Sequence, residues 1–236
     1  MTVMPGPGRL VGSGRRADVY DLGGGRVLRR CRDRAQATDR EAQVMVHARA
    51  HGVPVPEVFD ASGTDIIMAR AAGPTMLQAL TRRPWTLERQ ARLLVALHDL
   101  VHAVPPLGWL RTPFGEGASL LHADLHPQNV IMTRDGPQVI DWEAAARGPA
   151  AADLALTWVI LASSQIQAPL VQRAAGWVGQ ALFARRYLAA AGPQTDDWLA
   201  SAAEYRLGDP TVLRAEAAML HRLLAEGRLA GRGSWQ

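Results

Sequence analysis

The chain has 236 residues, a length that is enough to bury a full core. Of these residues, 48% are hydrophobic and 20% are charged, a composition that excludes a disordered protein. All 26 basic residues are arginine, so mechanisms that need a lysine, such as a Walker A loop or a Schiff base, are excluded. The net charge is +4, and residues 1–40 carry nine arginines against four aspartates. This basic segment favours a polyphosphate partner over nucleic acid, because it has few aromatic residues and no nucleic-acid motif.

The same composition bears on the expected compartment. Cys31 is the single cysteine, so no intramolecular disulfide can form. The start of the chain lacks the apolar core of a signal peptide, and the longest apolar run, Leu154–Ala162, is far shorter than the roughly 20 residues that span a bilayer. We therefore expect a soluble cytoplasmic protein with no membrane contact.

The first predicted elements are two consecutive hairpins. Gly12, Gly14 and Ala17 follow a glycine-rich pattern between two strands, where glycine lets backbone N–H groups approach phosphate oxygens closely. A second turn at residues 23–25 leads to a third strand over Arg26–Cys31. A helix is then predicted over residues 38–51, with Thr38 or Asp39 at its N-cap. Two further strands are predicted at residues 57–61 and 65–69, around a Ser-Gly turn.

Helices dominate the remainder of the chain. An apolar stripe predicts a helix from Thr86 to about Val104, and further helices are predicted near residues 150–163, 168–191 and 210–230. His98 and His102 lie four residues apart on the first of them, which is a spacing typical of metal ligands. We interpret this pair as structural, because we expect no third ligand near it.

The stretch Ser119–Glu143 is predicted to form a hairpin that carries the chemistry. Two short apolar runs, residues 130–132 and 138–140, are joined by a turn that contains Asp-Gly-Pro. The hairpin brings Asp124, Asn129 and Asp141 to one end of the ribbon. Two carboxylates and an amide suit a hard cation with oxygen ligands, with one carboxylate left over as a base.

These residues carry a resemblance to a known family. The run His122-Ala-Asp124-Leu-His126-Pro-Gln-Asn129, followed by Val-Ile-Asp141, resembles the aminoglycoside phosphotransferase family of small-molecule kinases. The resemblance implies an α+β, bilobal, protein-kinase-like fold. Residues 1–70 would form a small antiparallel-sheet lobe with one helix, and residues 71–236 a larger, mainly helical lobe that contains the hairpin 119–143.

The resemblance also implies roles for single residues. Asp124 would accept the proton of the substrate hydroxyl, and His122, grouped with it, would support the loop. Asn129 and Asp141 would hold Mg²⁺, and Asp153 would brace the catalytic loop. The remaining positions would contact the nucleotide, ATP or GTP: Gly12, Gly14, Ala17 and Arg29 at the phosphates, Glu41 as the ion-pair partner of Arg29, and Met68 and Arg70 at the adenine.

This sequence departs from the family pattern at two of these positions. Ala17 stands where the family has a glycine, and Arg29 stands where kinases have a lysine. Arginine can hold a phosphate with two hydrogen bonds, although its reach differs from that of lysine. Arg30 would take the role of Arg29 if the register of the strand were shifted.

The expected acceptor is a hydroxyl group of a small molecule, either an antibiotic or a metabolite. Only 12 residues separate Asp141 from Asp153, which leaves no room for a long activation loop and argues against a protein substrate. The acidic residues that could bind a cationic acceptor are not placed together by any pattern: Glu143, Asp196, Asp197, Glu204 and Glu216.

Two other functions stay open at the level of sequence. A nucleotide-binding pseudokinase without transfer activity would fit the changes at Ala17 and Arg29. A metal-dependent hydrolase would use a different set of groups as ligands of a first-row metal, namely His122, Asp124, His126 and Asp141.

Overall fold

The computed structural model describes residues 8–14, 16–32, 38–164, 170–210 and 212–226, and the side chains among these except those of residues 170–175. The first two residues of the predicted helix 168–191 and the end of the predicted helix 210–230 lie outside the described residues. Among the helices of these ranges, none is both long enough and apolar enough to cross a membrane.

A five-stranded antiparallel sheet forms the N-terminal part of the molecule. Its strands follow the order β1-β2-β3-β5-β4, and helix α1 (Asp39–Ala50) contacts β4. This confirms the predicted five strands and one helix. The strands are β1 (Arg9–Ser13), β2 (Ala17–Gly23), β3 (Arg26–Cys31), β4 (Val58–Ser62) and β5 (Asp65–Ala69).

Thr38 occupies the N-cap position of α1, as predicted, but its side chain does not cap the helix. Its hydroxyl instead lies 3.1 Å from the carbonyl oxygen of Gly63 and 3.2 Å from that of Asp65, and can donate its one hydrogen to either. The residue therefore ties the start of α1 to the β4–β5 turn. This bond fixes the position of the helix against the sheet, which matters because α1 carries Glu41.

The C-terminal part is mainly helical. Helix α4 (Ala150–Ser163) is mostly apolar and buried along most of its length, and the helices at residues 87–102, 170–191, 199–207 and 214–225 contact it. The predicted helices 86–104 and 150–163 are found, whereas α2 and α6 were not predicted, since both are short. The helices are α2 (Met76–Arg82), α3 (Leu87–His102), α4 (Ala150–Ser163), α5 (Leu170–Ala191), α6 (Leu199–Leu207) and α7 (Arg214–Ala225), with 3₁₀ turns at Pro84–Thr86 and Pro193–Trp198.

The predicted hairpin is confirmed. Strands β7 (Val130–Thr133) and β8 (Gly136–Val139) are antiparallel, with Val130 opposite Val139. A second pair, β6 (Ser119–Leu121) and β9 (Ala146–Gly148), was not predicted, because three-residue strands leave no periodic pattern. In the sequence, β6 precedes the loop that leads to β7, and β9 follows the segment after β8, so their pairing holds the two ends of this region together.

The hairpin is held between the sheet and the helices by backbone hydrogen bonds. Met132 N donates to Pro74 O at 2.8 Å, and Val139 N donates to Pro54 O at 2.7 Å. Residues of both parts belong to one hydrophobic core, which runs from Val27 in the sheet to Leu223 in α7. The boundary between the two lobes at residue 70 stays a prediction.

Gly73 allows the chain to pass close to β7, which gives a first prediction. A Cβ atom at this position would lie 2.1 Å from the carbonyl oxygen of Met132. Because that oxygen belongs to the backbone, Gly73→Ala should destabilise the fold by about 1–3 kcal/mol, which corresponds to roughly 2–12 °C in the unfolding midpoint. Differential scanning calorimetry measures the shift. Gly108→Ala is the control, since a Cβ there has open space around it; equal midpoints for the two variants would contradict the prediction.

Candidate active site

The loop between β6 and β7 holds Asp124 and Asn129 against each other. The Asn129 side-chain nitrogen donates to the Asp124 backbone oxygen at 2.9 Å and to its carboxylate at 3.2 Å. The backbone carbonyl oxygen of Asn129 accepts a hydrogen bond from the backbone N–H of Ile140 at 3.0 Å. These bonds turn the amide nitrogen of Asn129 toward Asp124, so its amide oxygen is the atom that could bind a cation.

Asp141 follows β8 with its backbone in the left-handed region, at φ +66°. An aspartate tolerates this conformation better than most residues. The next residue, Trp142, is fully buried, and its indole N–H donates to Val139 O at 3.2 Å. The buried ring fixes the chain direction, while the Asp141 side chain stays 44% exposed at the mouth of the hairpin. Asn129 and Asp141 therefore lie on chain segments joined by the backbone hydrogen bond between Ile140 and Asn129, and binding of one cation by both side chains stays a prediction.

His122 lies inside the protein. It has no exposed surface, its ring centroid is 4.7 Å from that of Trp142, and its Nε2 donates to Ile140 O at 3.1 Å. Burial lowers the pKa of His122, whereas the nearby carboxylates of Asp153, Asp124 and Asp141 oppose this change. The residue connects the loop to the end of β8 and is not placed to touch a substrate, so its role as a support for the loop is the one that fits this position.

Asp153, on α4, holds the loop from the other side, as expected. Its two carboxylate oxygens accept from His122 N at 3.0 Å and from Ala123 N at 2.9 Å. Ala123 has φ +59°, a conformation that is unfavourable for alanine. The two hydrogen bonds to a fully buried carboxylate keep this residue in place, and Asp124 follows it directly.

Arg29 is the buried cation of the site. Its Nη1 contacts Glu41 Oε2 at 2.7 Å, and its Nη2 contacts Asp141 Oδ1 at 3.0 Å and Glu143 Oε2 at 3.8 Å. Burial opposes the charge of Arg29, but the three carboxylates together raise its pKa. Burial also raises the pKa of Glu41 to about 7, and Arg29 opposes that rise. The predicted ion pair between Arg29 and Glu41 is therefore present, and it extends to Asp141.

Arg30 points the other way and contacts Asp65 at 2.6 Å. In the β2–β3 ladder, Val19 lies opposite Arg29 and Asp18 opposite Arg30. Because neighbouring residues of a strand face opposite sides of the sheet, this register places Arg29 in the site and excludes the shifted alternative with Arg30.

The glycine-rich turn lies between β1 and β2. Gly12 faces Val19 next to an irregularity in the ladder, Gly14 N donates to Ala17 O at 2.8 Å, and Ala17 begins β2. Arg16 extends from this turn to Glu143 and also lies 3.8 Å from Asp209. The sequence did not reveal this contact, because 127 residues separate Arg16 from Glu143.

In the segment predicted to contact adenine, residues 68–70, two backbone N–H groups already donate hydrogen bonds within the protein. Met68 is buried in β5, and the N–H groups of Ala69 and Arg70 donate to Glu57 O and Gly25 O, both at 2.8 Å. The Arg70 side chain contacts Asp21 at 2.7 Å. These two N–H groups are therefore engaged within the protein, and contact of Met68 and Arg70 with a nucleotide stays a prediction.

Asp124 is the carboxylate with the properties of a base. Burial raises the pKa of Asp124 to about 6; His122 and Arg206 oppose this rise, whereas Asp141 and Asp209 add to it. The carboxylate is 29% exposed, so it is open to an incoming molecule and yet has more affinity for a proton than an ordinary aspartate.

The acidic residues considered for the acceptor do not all face this site. Glu143 is there, bound to Arg16 and Arg29. Glu216 is buried and bonded to Arg206 at 3.0 Å, so it serves the fold. Asp209, which was not considered from the sequence, joins the group through its contacts with Arg16 and Arg206.

The structure does not support the set of metal ligands that the hydrolase alternative requires. His122 is buried with its Nε2 bonded to a carbonyl oxygen, which leaves that nitrogen unavailable to a metal at the loop surface. In the described part of the chain, the His, Cys, Asp and Glu side chains that converge within 4.8 Å are His98, His102 and Asp153. The expectation that His98 and His102 have no third ligand nearby is therefore wrong: Asp153 is 51 residues beyond His102 and reaches it only in the folded chain.

Comparison with known proteins agrees with this geometry. The model of the phosphotransferase enzyme family APH matches residues 7–118 and 115–203. A ternary complex of aminoglycoside phosphotransferase APH(4)-Ia with AMP-PNP and hygromycin B has a TM-score of 0.61 at 18% identity, covering 96% of this chain and 94% of that chain. No curated protein sequence matches this one closely enough to define a relative.

Two further solved structures share the fold at lower similarity. A choline/ethanolamine kinase family protein from Mesorhizobium loti has a TM-score of 0.56 at 14% identity, with 98% of this chain and 90% of that chain covered. Amicoumacin kinase hAmiN, in complex with AMP-PNP, Ca²⁺ and Ami, has a TM-score of 0.53 at 14% identity, with 92% and 86% covered. These likenesses establish that the fold is protein-kinase-like, as predicted.

The burial of Arg29 generates a prediction about stability. Arg29→Gln removes the cation between Glu41 and Asp141 and leaves Glu41 buried without its partner, which should cost about 3–5 kcal/mol. Arg30→Gln is the matched control on the same strand; its pair is partly exposed, and its loss should cost about 1 kcal/mol. Urea denaturation gives both free energies of unfolding. Equal losses of unfolding free energy in the two variants would contradict the prediction, because Arg29 would then contribute no more to stability than Arg30.

Proposed function

Because the chain belongs to the phosphotransferase enzyme family, we propose that it is a small-molecule kinase that transfers the γ-phosphoryl group of ATP to a hydroxyl group. The observation that carries this proposal is the convergence of Asp124, Asn129 and Asp141 at the mouth of one hairpin, with Arg29 bonded to Asp141. Positioning and charge neutralisation account for most of the catalysis in phosphoryl transfer, and these four groups supply both.

The phosphates of the nucleotide would meet the glycine-rich turn and Arg29. Gly12 and Gly14 have no side chain to keep phosphate oxygens away from the backbone of the turn. Arg29 is held in place by Glu41 through Nη1, and Nη2, which now lies 3.0 Å from Asp141, would be the group that contacts a phosphate oxygen. The chain has no lysine, so arginine has to supply all of the cationic contacts of the protein to the nucleotide.

Asn129 and Asp141 would bind Mg²⁺. Their oxygen atoms match the ligand preference of this ion, and the ion would neutralise charge on the phosphates when bound. The complexes with AMP-PNP and with Ca²⁺ among proteins of the same fold support a nucleotide and a divalent cation here.

Asp124 would orient the acceptor hydroxyl and accept its proton as the hydroxyl oxygen bonds to phosphorus and ADP leaves. Its raised pKa makes it a better base than a fully exposed aspartate. Asn129 keeps the Asp124 carboxylate oriented through the bond to Oδ2, and Asp153 keeps the preceding backbone in place.

The acceptor would be a hydroxylated small molecule. Structures of proteins with the same fold contain hygromycin B or streptomycin. In this chain, Glu143 and Asp209 place two carboxylates at the rim of the site, where both contact Arg16. A screen of candidate acceptors for phosphorylation would distinguish an antibiotic from a metabolite.

The contact between Arg29 and Asp141 favours a second candidate function, which is nucleotide binding without transfer. A cation at Asp141 would share that carboxylate with the guanidinium 3.0 Å away, and in a pseudokinase the guanidinium would take the place of the cation. The two candidates differ in whether nucleotide binding requires Mg²⁺ and Asp141, and in whether an acceptor is phosphorylated.

Stabilisation by MgATP separates them. At 100 times its dissociation constant a ligand stabilises by about 2.7 kcal/mol, which is roughly 5–11 °C for a chain of this size. We expect this shift for the wild type with MgATP, and its loss without Mg²⁺ and in Asp141→Asn. Asp135→Asn, at the opposite end of the same hairpin, is the control and should keep the shift. A full shift without Mg²⁺ would favour the binding-only function, and no shift at millimolar MgATP would contradict both candidates.

The role of Asp124 is tested by turnover. With an acceptor found in a screen of hydroxylated antibiotics and metabolites, Asp124→Asn should lower the rate of phosphate transfer by about 10²–10⁴-fold. The MgATP-induced shift in unfolding midpoint should be retained, because the amide has the same shape as the carboxylate. A coupled ADP assay measures the rate, and full activity in this variant would contradict the assigned role.

A further inference from the structure

A second group of polar side chains lies behind the catalytic loop, where α3 faces α4. His98 and His102 are one helical turn apart on α3, and both rings approach the same carboxylate oxygen on α4. His98 Nδ1 lies 3.4 Å from Asp153 Oδ2, and His102 Nε2 lies 3.0 Å from it. His98 and Asp153 are completely buried, whereas 8% of the His102 side chain is exposed.

The hydrogen bonds around His98 fix which of its nitrogens carries the proton. Thr157 Oγ1 donates its single hydrogen to Leu125 O at 2.7 Å, so it can only accept from His98 Nε2 at 3.0 Å. Nε2 therefore carries the hydrogen, and Nδ1 of the neutral ring carries a lone pair. In the described part of the chain this buried Nδ1 has no hydrogen-bond partner.

This arrangement leaves an electrostatic conflict in the core. His98 Nδ1 lies 3.4 Å from a carboxylate oxygen of Asp153, and an unprotonated ring nitrogen and a carboxylate oxygen at this distance repel each other. A second proton on His98 would remove the repulsion; burial lowers the pKa of His98 and so opposes this proton, although the Asp153 carboxylate favours it. A bound cation between the two atoms removes the same repulsion and does not require a charged imidazole.

We propose that His98 Nδ1, His102 Nε2 and Asp153 Oδ2 form a binding site for a transition-metal ion of the zinc type. Two imidazoles and a carboxylate are a ligand set that Zn²⁺ uses, with a water molecule as the fourth ligand. Ligands about 2.1 Å from a tetrahedral ion lie about 3.4 Å apart, which is close to the observed 3.0 and 3.4 Å. The fourth ligand would enter beside His102, the partly exposed member.

The groups around the three ligands match those around known metal sites. A ligating histidine almost always donates its other N–H to a fixed acceptor, and His98 does so to Thr157. The ligating carboxylate is itself held, by His122 N and Ala123 N. For His102 the proton would move to Nδ1 when Nε2 binds the metal, and the partial exposure of this ring gives Nδ1 access to water.

Metal binding at this site would add to the stability of the catalytic loop without taking part in phosphoryl transfer. The ion would connect α3 to α4 through Asp153, whose carboxylate fixes the backbone just before Asp124. The proposal therefore stands apart from the proposed function, and its test does not depend on turnover.

Cobalt is a suitable probe, because Co²⁺ in a tetrahedral site absorbs visible light and Zn²⁺ displaces it. The full chain is freed of metals with a chelator, saturated with Mg²⁺ to fill the hairpin site, and titrated with Co²⁺. We expect one equivalent of Co²⁺ per chain, displaced by Zn²⁺. His102→Gln should weaken binding by about 100-fold or more, and Thr157→Val, which removes the acceptor of His98, by about 10–100-fold.

The control uses the other pair of histidines with the same spacing. His47 on α1 and His51, the C-cap residue of the same helix, lie four residues apart, with ring centroids 4.5 Å apart and both rings accessible to solvent. His51→Gln should leave the Co²⁺ affinity unchanged. Loss of binding in His51→Gln with full binding in His102→Gln would overturn the proposal, because the metal would then be on the surface.

A second measurement on the wild type covers the case in which a variant fails to fold. The imidazole ¹⁵N spectrum should show His98 protonated at Nε2 alone before metal is added, and a large change in the Nδ1 resonance on addition of one equivalent of Zn²⁺. A doubly protonated His98, or an Nδ1 resonance that Zn²⁺ leaves unchanged, would overturn the proposal.

Discussion

The buried guanidinium of Arg29 is the interaction on which the site depends. A buried charge is costly unless it is paired, and this one is paired with carboxylates from two directions, Glu41 on α1 and Asp141 after the hairpin. The need to satisfy it therefore fixes the distance between the sheet, the helix and the hairpin. The position of the Arg29 guanidinium is therefore set by the fold itself.

The loop that carries Asp124 depends on a second constraint. Ala123 and Asp141 both have positive φ, a conformation that persists only where the surroundings enforce it. Asp153 enforces it at Ala123 through two N–H groups, and the buried Trp142 does so beside Asp141. Asp153 and Trp142 thus stabilise strained backbone directly beside Asp124 and Asp141.

The charges at the cleft are balanced within the protein and available to a ligand. Arg16 at the glycine-rich turn is bound to Glu143, and Glu143 also lies near Arg29. Because the chain has no lysine, Arg16 and Arg29 supply the cations of this network as planar guanidinium groups. The network connects the turn above the cleft with the hairpin below it.

The sequence by itself determined the elements that rest on local patterns: the glycine turns, the strand alternation that favoured Arg29 over Arg30, and the hairpin that groups Asp124, Asn129 and Asp141. Only the tertiary structure decided the rest. The contact of Arg16 with Glu143, the short β6–β9 pair, and the meeting of His98 and His102 with Asp153 join residues far apart in the chain. Side-chain periodicity records which face of an element is buried, but not which other element covers that face, because this follows from how the whole core packs.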